Sequence, residues 1–221
     1  MSDNQIETFK VVLLGEAGVG KTSIISQFIE QTFQEDLQTS TGGTFSSKTF
    51  TYDHGKILKF EIWDTAGQER YRSLTKMFYK DANAAVLVYD ITRKISFEEL
   101  QNYWFEQIKE SAPPNIIVVI VANKSDLINE EEVDEETARN FSNEIGAFFF
   151  SASAKNSTGI NDIFLQIAKK HTGCEDIKMK NDDEDISEQI TQKEEQINKN
   201  GTMKITKQKT YETKQKKKKC C

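Results

Sequence analysis

Gly15-Glu16-Ala17-Gly18-Val19-Gly20-Lys21-Thr22-Ser23 is the stretch on which the reading of the chain turns. It satisfies the phosphate-loop pattern of two glycines separated by four residues and followed by Lys and Thr. Upstream, Phe9 to Leu14 ends in the apolar run Val11-Val12-Leu13-Leu14, of buried-strand type; downstream, Ile24, Ile25, Phe28 and Ile29 carry helical spacing. The loop therefore joins a strand to a helix. Its glycines let consecutive N–H groups turn inward on a phosphate, and the helix N-terminus adds about half a positive charge. Ala17, Gly18, Val19, Gly20 and Ser23 would line the phosphates, Lys21 would reach the β and γ phosphates, and Thr22 would offer its hydroxyl to Mg²⁺. A glycine-rich turn before an ordinary helix is the plainer alternative, against which the downstream motifs weigh.

Apolar residues are dense up to about Ala168 and sparse afterwards, so the 221 residues read as one globular domain with a tail of about 50 residues. The net charge of −6 hides an asymmetry: from Lys204 onward eight lysines face only Glu212, a local +7 that leaves −13 for the rest. An acidic body with a basic end argues against a general nucleic-acid binder. Three cysteines, two of them Cys220 and Cys221, exclude a disulfide framework and suit a reducing compartment. The opening Met-Ser-Asp-Asn-Gln has no signal-peptide core, and no apolar run approaches eighteen residues. Any membrane attachment is expected to be added.

Gln31 to Gly43 is polar, without periodicity, and reads as a mobile loop. Thr44–Tyr52 and Lys56–Trp63 flank the turn signal Asp53-His54-Gly55, which predicts an antiparallel hairpin at a sheet edge. A second polar loop from Asp64 leads to a helical stretch around Arg70 to Lys80. Buried strands follow at Ala84–Tyr89, Ile116–Val121 and Phe148–Phe150, alternating with helices marked by Phe97, Leu100, Trp104 and Ile108, by Ala138, Phe141 and Ile145, and by Ile160, Ile163, Phe164 and Ile167. These aromatics read as core rather than as a cofactor box. The alternation predicts an α/β fold with a mostly parallel, six-stranded sheet, one antiparallel edge hairpin and about five helices on both faces. Beyond His171, read as a helix-end residue, the mixture of Lys, Glu, Asp, Asn and Gln is too polar to bury enough surface to order itself. The expected division is a flexible 1–8, a domain at 9–171 and a disordered tail at 172–221.

Ligands of open α/β sheets lie beyond the carboxyl ends of the strands, so reactive residues should sit in those loops. Asp64-Thr65-Ala66-Gly67-Gln68-Glu69 follows one strand: Asp64 can hold Mg²⁺ through water, Gly67 can bring its N–H to a γ-phosphate, and Gln68 can orient an attacking water. Asn123-Lys124-Ser125-Asp126 follows another. A carboxylate at Asp126 accepts two hydrogen bonds, matching N1–H and the exocyclic amine of guanine, a donor pair that adenine lacks. Ser153-Ala154-Lys155, after a third strand, can present a backbone N–H to the guanine carbonyl oxygen.

With these motifs in this order and spacing, the chain from Phe9 to about His171 resembles the Ras superfamily of small GTPases, and within it the Rab family. The Rab branch is suggested by Lys59-Phe60-Glu61-Ile62-Trp63, by Arg70-Tyr71-Arg72-Ser73-Leu74-Thr75 and by Leu87-Val88-Tyr89-Asp90-Ile91-Thr92, whose wording is similar to the early-endosomal group. The resemblance implies a three-layer P-loop NTPase domain binding GTP and GDP with Mg²⁺. It implies an aromatic ring beside the guanine, a place that Phe33 matches. It also implies a Mg²⁺-binding hydroxyl in the first switch, where the chain reads Thr39-Ser40-Thr41-Gly42-Gly43-Thr44-Phe45. Counting back from Phe45 or forward from Phe33 gives that role to Ser40; counting back from Asp64 gives it to Thr41. Ser40 is preferred, since one extra residue in the Asp53–Gly55 turn explains the difference. The family's Ile after this residue is missing, Phe78-Tyr79-Lys80-Asp81-Ala82 replaces its usual aromatic-aromatic-Arg-Gly-Ala, and Ala17 stands where many relatives have Gly or Ser.

The mechanism so implied is in-line attack of water on the γ-phosphate, with Lys21 and Gln68 as catalytic residues. No arginine in the first switch can act as a finger, so intrinsic turnover is expected at about 10⁻⁴ per second. Lys214, Lys216 to Lys219, Cys220 and Cys221 resemble the Rab tail in which both cysteines are geranylgeranylated; two lipid chains anchor where one binds only marginally, and nearby lysines favour an anionic leaflet. Expected partners are an exchange factor, a GTPase-activating protein, a GDP-dissociation inhibitor, a prenylation escort protein and GTP-dependent effectors, with no nucleic acid. A monomer is expected on the cytoplasmic face of an endosomal membrane, with a cytosolic pool. The competing expectation is a hydrolysis-deficient, GTP-bound scaffold.

Overall fold

The computed structural model describes residues 6–35, 43–65 and 78–179. Strands β1 (Ile6–Leu14), β2 (Thr44–Tyr52), β3 (Lys56–Asp64), β4 (Ala84–Asp90), β5 (Ile117–Asn123), β6 (Phe148–Ser151) and β7 (Ile177–Met179) form one sheet in the order β6-β5-β4-β1-β3-β2-β7. The pairs β1–β3, β1–β4, β4–β5 and β5–β6 are parallel; only β2–β3 and β2–β7 are antiparallel. From β1 the chain builds first toward β3 and then, on the other side, toward β4. That reversal opens a crevice at the carboxyl end of β1, where the Gly15 loop begins.

Among the described residues the helices are α1 (Lys21–Glu30), α2 (Lys94–Glu99), α3 (Glu106–Ser111), α4 (Glu135–Glu144) and α5 (Ile160–Thr172). The α/β class, the mostly parallel sheet and the helices on both faces are as expected. Alternation along β1 explains the layering. Phe9, Val11 and Leu13 pack with Ile24 and Phe28 of α1 and with Ile160, Ile163, Phe164 and Ile167 of α5. Val12 and Leu14 pack on the opposite face with Phe97, Leu100, Trp104 and Ile108, and with Ala138 of α4. Strand β4, central and covered on both sides, is buried at every position, as its unbroken apolar run requires.

Two expectations are corrected. The sheet has seven strands rather than six, and the hairpin does not form its edge, because β7 pairs antiparallel with β2 through Phe50↔Met179, Thr51↔Lys178 and Tyr52↔Ile177. Three residues are too short a run for periodicity to register, yet Ile177 and Met179 pack against the core while backbone pairing supplies the rest. The described elements thus begin at Ile6 and end at Met179, wider than 9–171 at both ends. The Asp53–Gly55 connection is a single 3₁₀ turn closing the Tyr52↔Lys56 pair. The stripe Phe97, Leu100, Trp104 and Ile108 is buried as predicted, but its helix passes through a π-helical stretch, Leu100–Phe105, between α2 and α3. Of the stretch expected around 70–80, residues 70–77 lie outside the described residues.

Phe164 is fully buried and stacks on Phe28 with ring centroids 3.8 Å apart, joining α5 to α1 across one face of the sheet. Phe164→Ala should therefore lower stability by about 3–5 kcal/mol in urea unfolding. Ile128→Ala, at a position 57% exposed, should change it by no more than about 0.5 kcal/mol.

Candidate nucleotide site

For N–H groups of the Gly15–Gly20 loop to face a phosphate, its carbonyls must point away and find donors elsewhere. They do. Lys21 Nζ donates to the carbonyls of Gly15 (2.8 Å) and Glu16 (2.9 Å), Arg93 Nη1 to that of Ala17 (3.0 Å), and Asn123 Nδ2 to that of Val19 (2.7 Å). Glycine is required at both ends. A Cβ on Gly15, at φ +144°, would run into the carbonyl oxygen of Val88, and one on Gly20, at φ +95°, into the Asn123 amide. Helix α1 begins at Gly20 with no side-chain cap and no acid in its first turn, which leaves its orphan N–H groups and positive end for an anion. Burial pushes the Lys21 ammonium down to about 8, against the pull of Asp64 and Glu16.

Beside this loop the Thr22 hydroxyl donates to Asp64 Oδ2 at 2.5 Å, and Asp64 is almost wholly buried. A hydroxyl and a carboxylate placed together are hard oxygen donors of the kind Mg²⁺ takes, and they fit a cation that completes its shell with water and phosphate oxygens. Thr65 anchors the end of β3 by donating to the Leu13 carbonyl at 2.6 Å.

The opposite end of the cleft is built by the loops after β5 and β6. Lys124, with φ +66°, pairs with buried Asp90 at 2.6 Å and turns the chain so that Asp126 faces the cleft. Buried Ser153 donates to Asp126 Oδ1 at 2.5 Å and accepts from the Asn156 N–H at 3.1 Å, which fixes the carboxylate's direction. The Ala154 N–H lies 3.3 Å from Asn123 Oδ1, so Asn123 bridges the phosphate loop and this loop. Lys155 pairs with Glu35 at 2.9 Å across the mouth, and the hydrogen bond and charge of Glu35 raise its pKa.

A cleft of about 320 Å³ runs between the two ends. Ala17, Gly18, Gly20, Lys21, Thr22 and Ser23 line it at one end, Asn123, Lys124, Asp126, Ala154 and Lys155 at the other, and Phe33 between them. Three expected residues stand behind the wall. The Val19 side chain is in the core, Ser153 acts through Asp126, and Asp64 acts through Thr22. Ser40 and the alternative Thr41, Gly67, Gln68, Cys220 and Cys221 lie outside the described residues. Gln34, Glu35, Thr65 and Leu127 also line the cleft; Thr65 and Leu127 directly follow Asp64 and Asp126, the only signal that could have found them. Arg93 belongs to no motif, and nothing in the sequence pointed to it.

A Ras family model matches residues 10–172. Ras-related protein Rab-22A of Homo sapiens is 43% identical over 165 residues, a match spanning 75% of this chain and 84% of that protein. The Canis lupus familiaris Rab-22A is 42% identical over the same length, and Ras-related protein Rab5A of Oryza sativa subsp. japonica is 41% identical over 167 residues, 76% of this chain and 81% of that protein. The uncapped α1 terminus, the tied-back loop and the carboxylate at the far end of the cleft are thus carried by a chain that belongs to the Ras family and, within it, to the Rab small GTPases of the early-endosomal group.

Proposed function

We propose that this GTPase is a membrane-anchored switch of endosomal vesicle traffic, holding guanine nucleotide in the cleft and recruiting partners while GTP is bound. The observation that carries the reading is the single cleft joining a tied-back phosphate loop at one end to Asp126, braced by Ser153, at the other. That spacing suits a base and a phosphate chain on one ligand. Phosphates would rest on the N–H groups from Ala17 to Ser23 and on Lys21, the base between Phe33 and the loops of Asn123, Lys124, Asp126, Ser153, Ala154 and Lys155. Asp126 accepts from the guanine edge, the Ala154 N–H donates to the base carbonyl, and selectivity for guanine follows from that donor–acceptor match.

Mg²⁺, held by Thr22, Ser40 and Asp64, would supply charge neutralisation on the phosphate oxygens. Lys21 and the loop N–H groups stabilise the charge spread over the transferred phosphoryl group, preorganised by the donors behind them. Gln68 aligns the attacking water, and Gly67 contacts the γ-phosphate. Hydrolysis removes those γ-phosphate contacts and with them the order of both switch segments, which partners read. Phe45, half exposed, meets Trp63 edge-on at 5.3 Å, and Trp63 meets Phe78 at 5.5 Å. Phe45 closes the first-switch stretch, Trp63 directly precedes the loop that begins at Asp64 and Phe78 follows it, and this aromatic surface is proposed as part of the effector face. The residues after Lys180 form the proposed tail, with the polybasic run and two prenylated cysteines as anchor.

Asp126→Ala should weaken GDP binding by on the order of 100-fold, since two charge-assisted hydrogen bonds are lost; equal affinities in equilibrium titration would overturn the base assignment. Gln68→Leu should slow single-turnover GTP hydrolysis at least tenfold, whereas a hydrolysis-deficient scaffold would show no difference from wild type. Cys220→Ser combined with Cys221→Ser should move the protein from the membrane to the soluble fraction of lysed cells. An unchanged distribution would reject lipid anchoring there.

A further inference from the structure

The side-chain donors that hold the phosphate-loop carbonyls are motif residues with one exception, Arg93, which lies in the turn between β4 and α2. That turn is tightly fixed. Thr92 donates to Asp90 Oδ1 through both its N–H (3.0 Å) and its hydroxyl (2.8 Å), and the Arg93 N–H donates to the Asp90 carbonyl (3.0 Å). The Arg93 carbonyl in turn accepts from the N–H (2.9 Å) and the hydroxyl (2.7 Å) of buried Ser96. From this base the side chain reaches the phosphate loop. Nη1 sits 3.0 Å from the Ala17 carbonyl and 3.6 Å from where a Cβ on Gly18 would be, an ordinary contact distance, so the guanidinium lies along the Ala17–Gly18 peptide. Among the described residues no carboxylate forms an ion pair with Arg93.

We infer that Arg93 is a positioning residue for phosphate binding. By donating to the Ala17 carbonyl from outside, it locks and polarises the Ala17–Gly18 peptide, whose other end, the Gly18 N–H, donates to the phosphates inside. A carbonyl that accepts a hydrogen bond from a cation makes its own peptide N–H a stronger donor. The guanidinium thus stabilises bound phosphate one peptide unit away, without touching it. Arginine suits the place because its charge persists at any working pH and its planar fork fits a flat peptide. The role rests on the cleft being the guanine nucleotide site.

The test uses the full chain loaded with a fluorescent GDP analogue in excess Mg²⁺. Dissociation is followed after adding unlabelled GDP, and the ³¹P spectrum of bound GDP is recorded for wild type and for Arg93→Ala, Arg93→Gln and Arg93→Lys. Loss of one charge-assisted hydrogen bond should speed release roughly tenfold in Arg93→Ala. Arg93→Gln, which can still donate but carries no charge, should fall between, and Arg93→Lys should recover most of the wild-type rate. The ³¹P resonances should move in the Gln variant and return toward wild type in the Lys variant. Release within twofold of wild type in both the Ala and Gln variants, with unmoved ³¹P resonances, would overturn the role even if the melting temperature fell, because a residue that only stiffened the β4–α2 turn would give that result. Should Arg93→Ala not fold, the Gln and Lys variants decide alone. A wild-type chain that held no guanine nucleotide would instead refute the nucleotide site itself.

Discussion

The constraint on which the site depends is that a loop cannot present several N–H groups to one side unless its carbonyls are satisfied on the other. Lys21, Arg93 and Asn123 meet that requirement from three different segments. Asn123 is the most connected. Its amide nitrogen supports the Val19 carbonyl, and its amide oxygen lies beside the Ala154 N–H. One side chain therefore sets the distance between the phosphate end and the base end of the cleft. In a close-packed interior such a tie is stiff, since no member can move without leaving a buried polar group unpaired.

The sheet makes this arrangement possible. The Gly15 loop leaves β1, Arg93 follows β4, Asn123 closes β5 and Ser153 follows β6, so the site residues leave the carboxyl ends of adjacent parallel strands. Parallel pairing needs both faces covered, and two layers of helices supply that cover. The same burial that stabilises the sheet makes charge expensive at its rim. Asp90 and Lys124 meet that cost by pairing, while Lys21 meets it with two carbonyls and a pKa drawn down to about 8. Electrostatic tension is therefore built into the phosphate end, and an anion would relieve it.

On the other side of β1 the sheet ends differently. β7 adds a short antiparallel strand to the last two pairs of β2 before the hairpin turn and to Phe50, and leaves the β2 edge nearer Thr44 unpaired by it. His171 and Glu7, 2.7 Å apart, tie the end of α5 to the start of β1, with the His171 ring 4.4 Å from that of Phe9. The helix-end residue read from sequence thus fastens the last helix to the first strand.

Local chemistry determined much of this by itself. The Gly15–Ser23 pattern needs only near neighbours to specify strand, loop and helix, and the apolar run Ala84–Tyr89 reads as a central strand because a strand covered on both faces buries successive positions. Hydrogen-bonding capacity likewise marked Asp126 as the candidate acceptor for a guanine edge. Tertiary structure decided what depends on approach between distant segments. Ser153 acts on Asp126 from 27 residues away and Arg93 on Ala17 from 76, distances over which no periodicity or spacing carries a signal. β7 escaped for a related reason: backbone ladders accept nearly any side chain, so three residues pair with β2 because an open edge is there, and only the assembled sheet provides that edge.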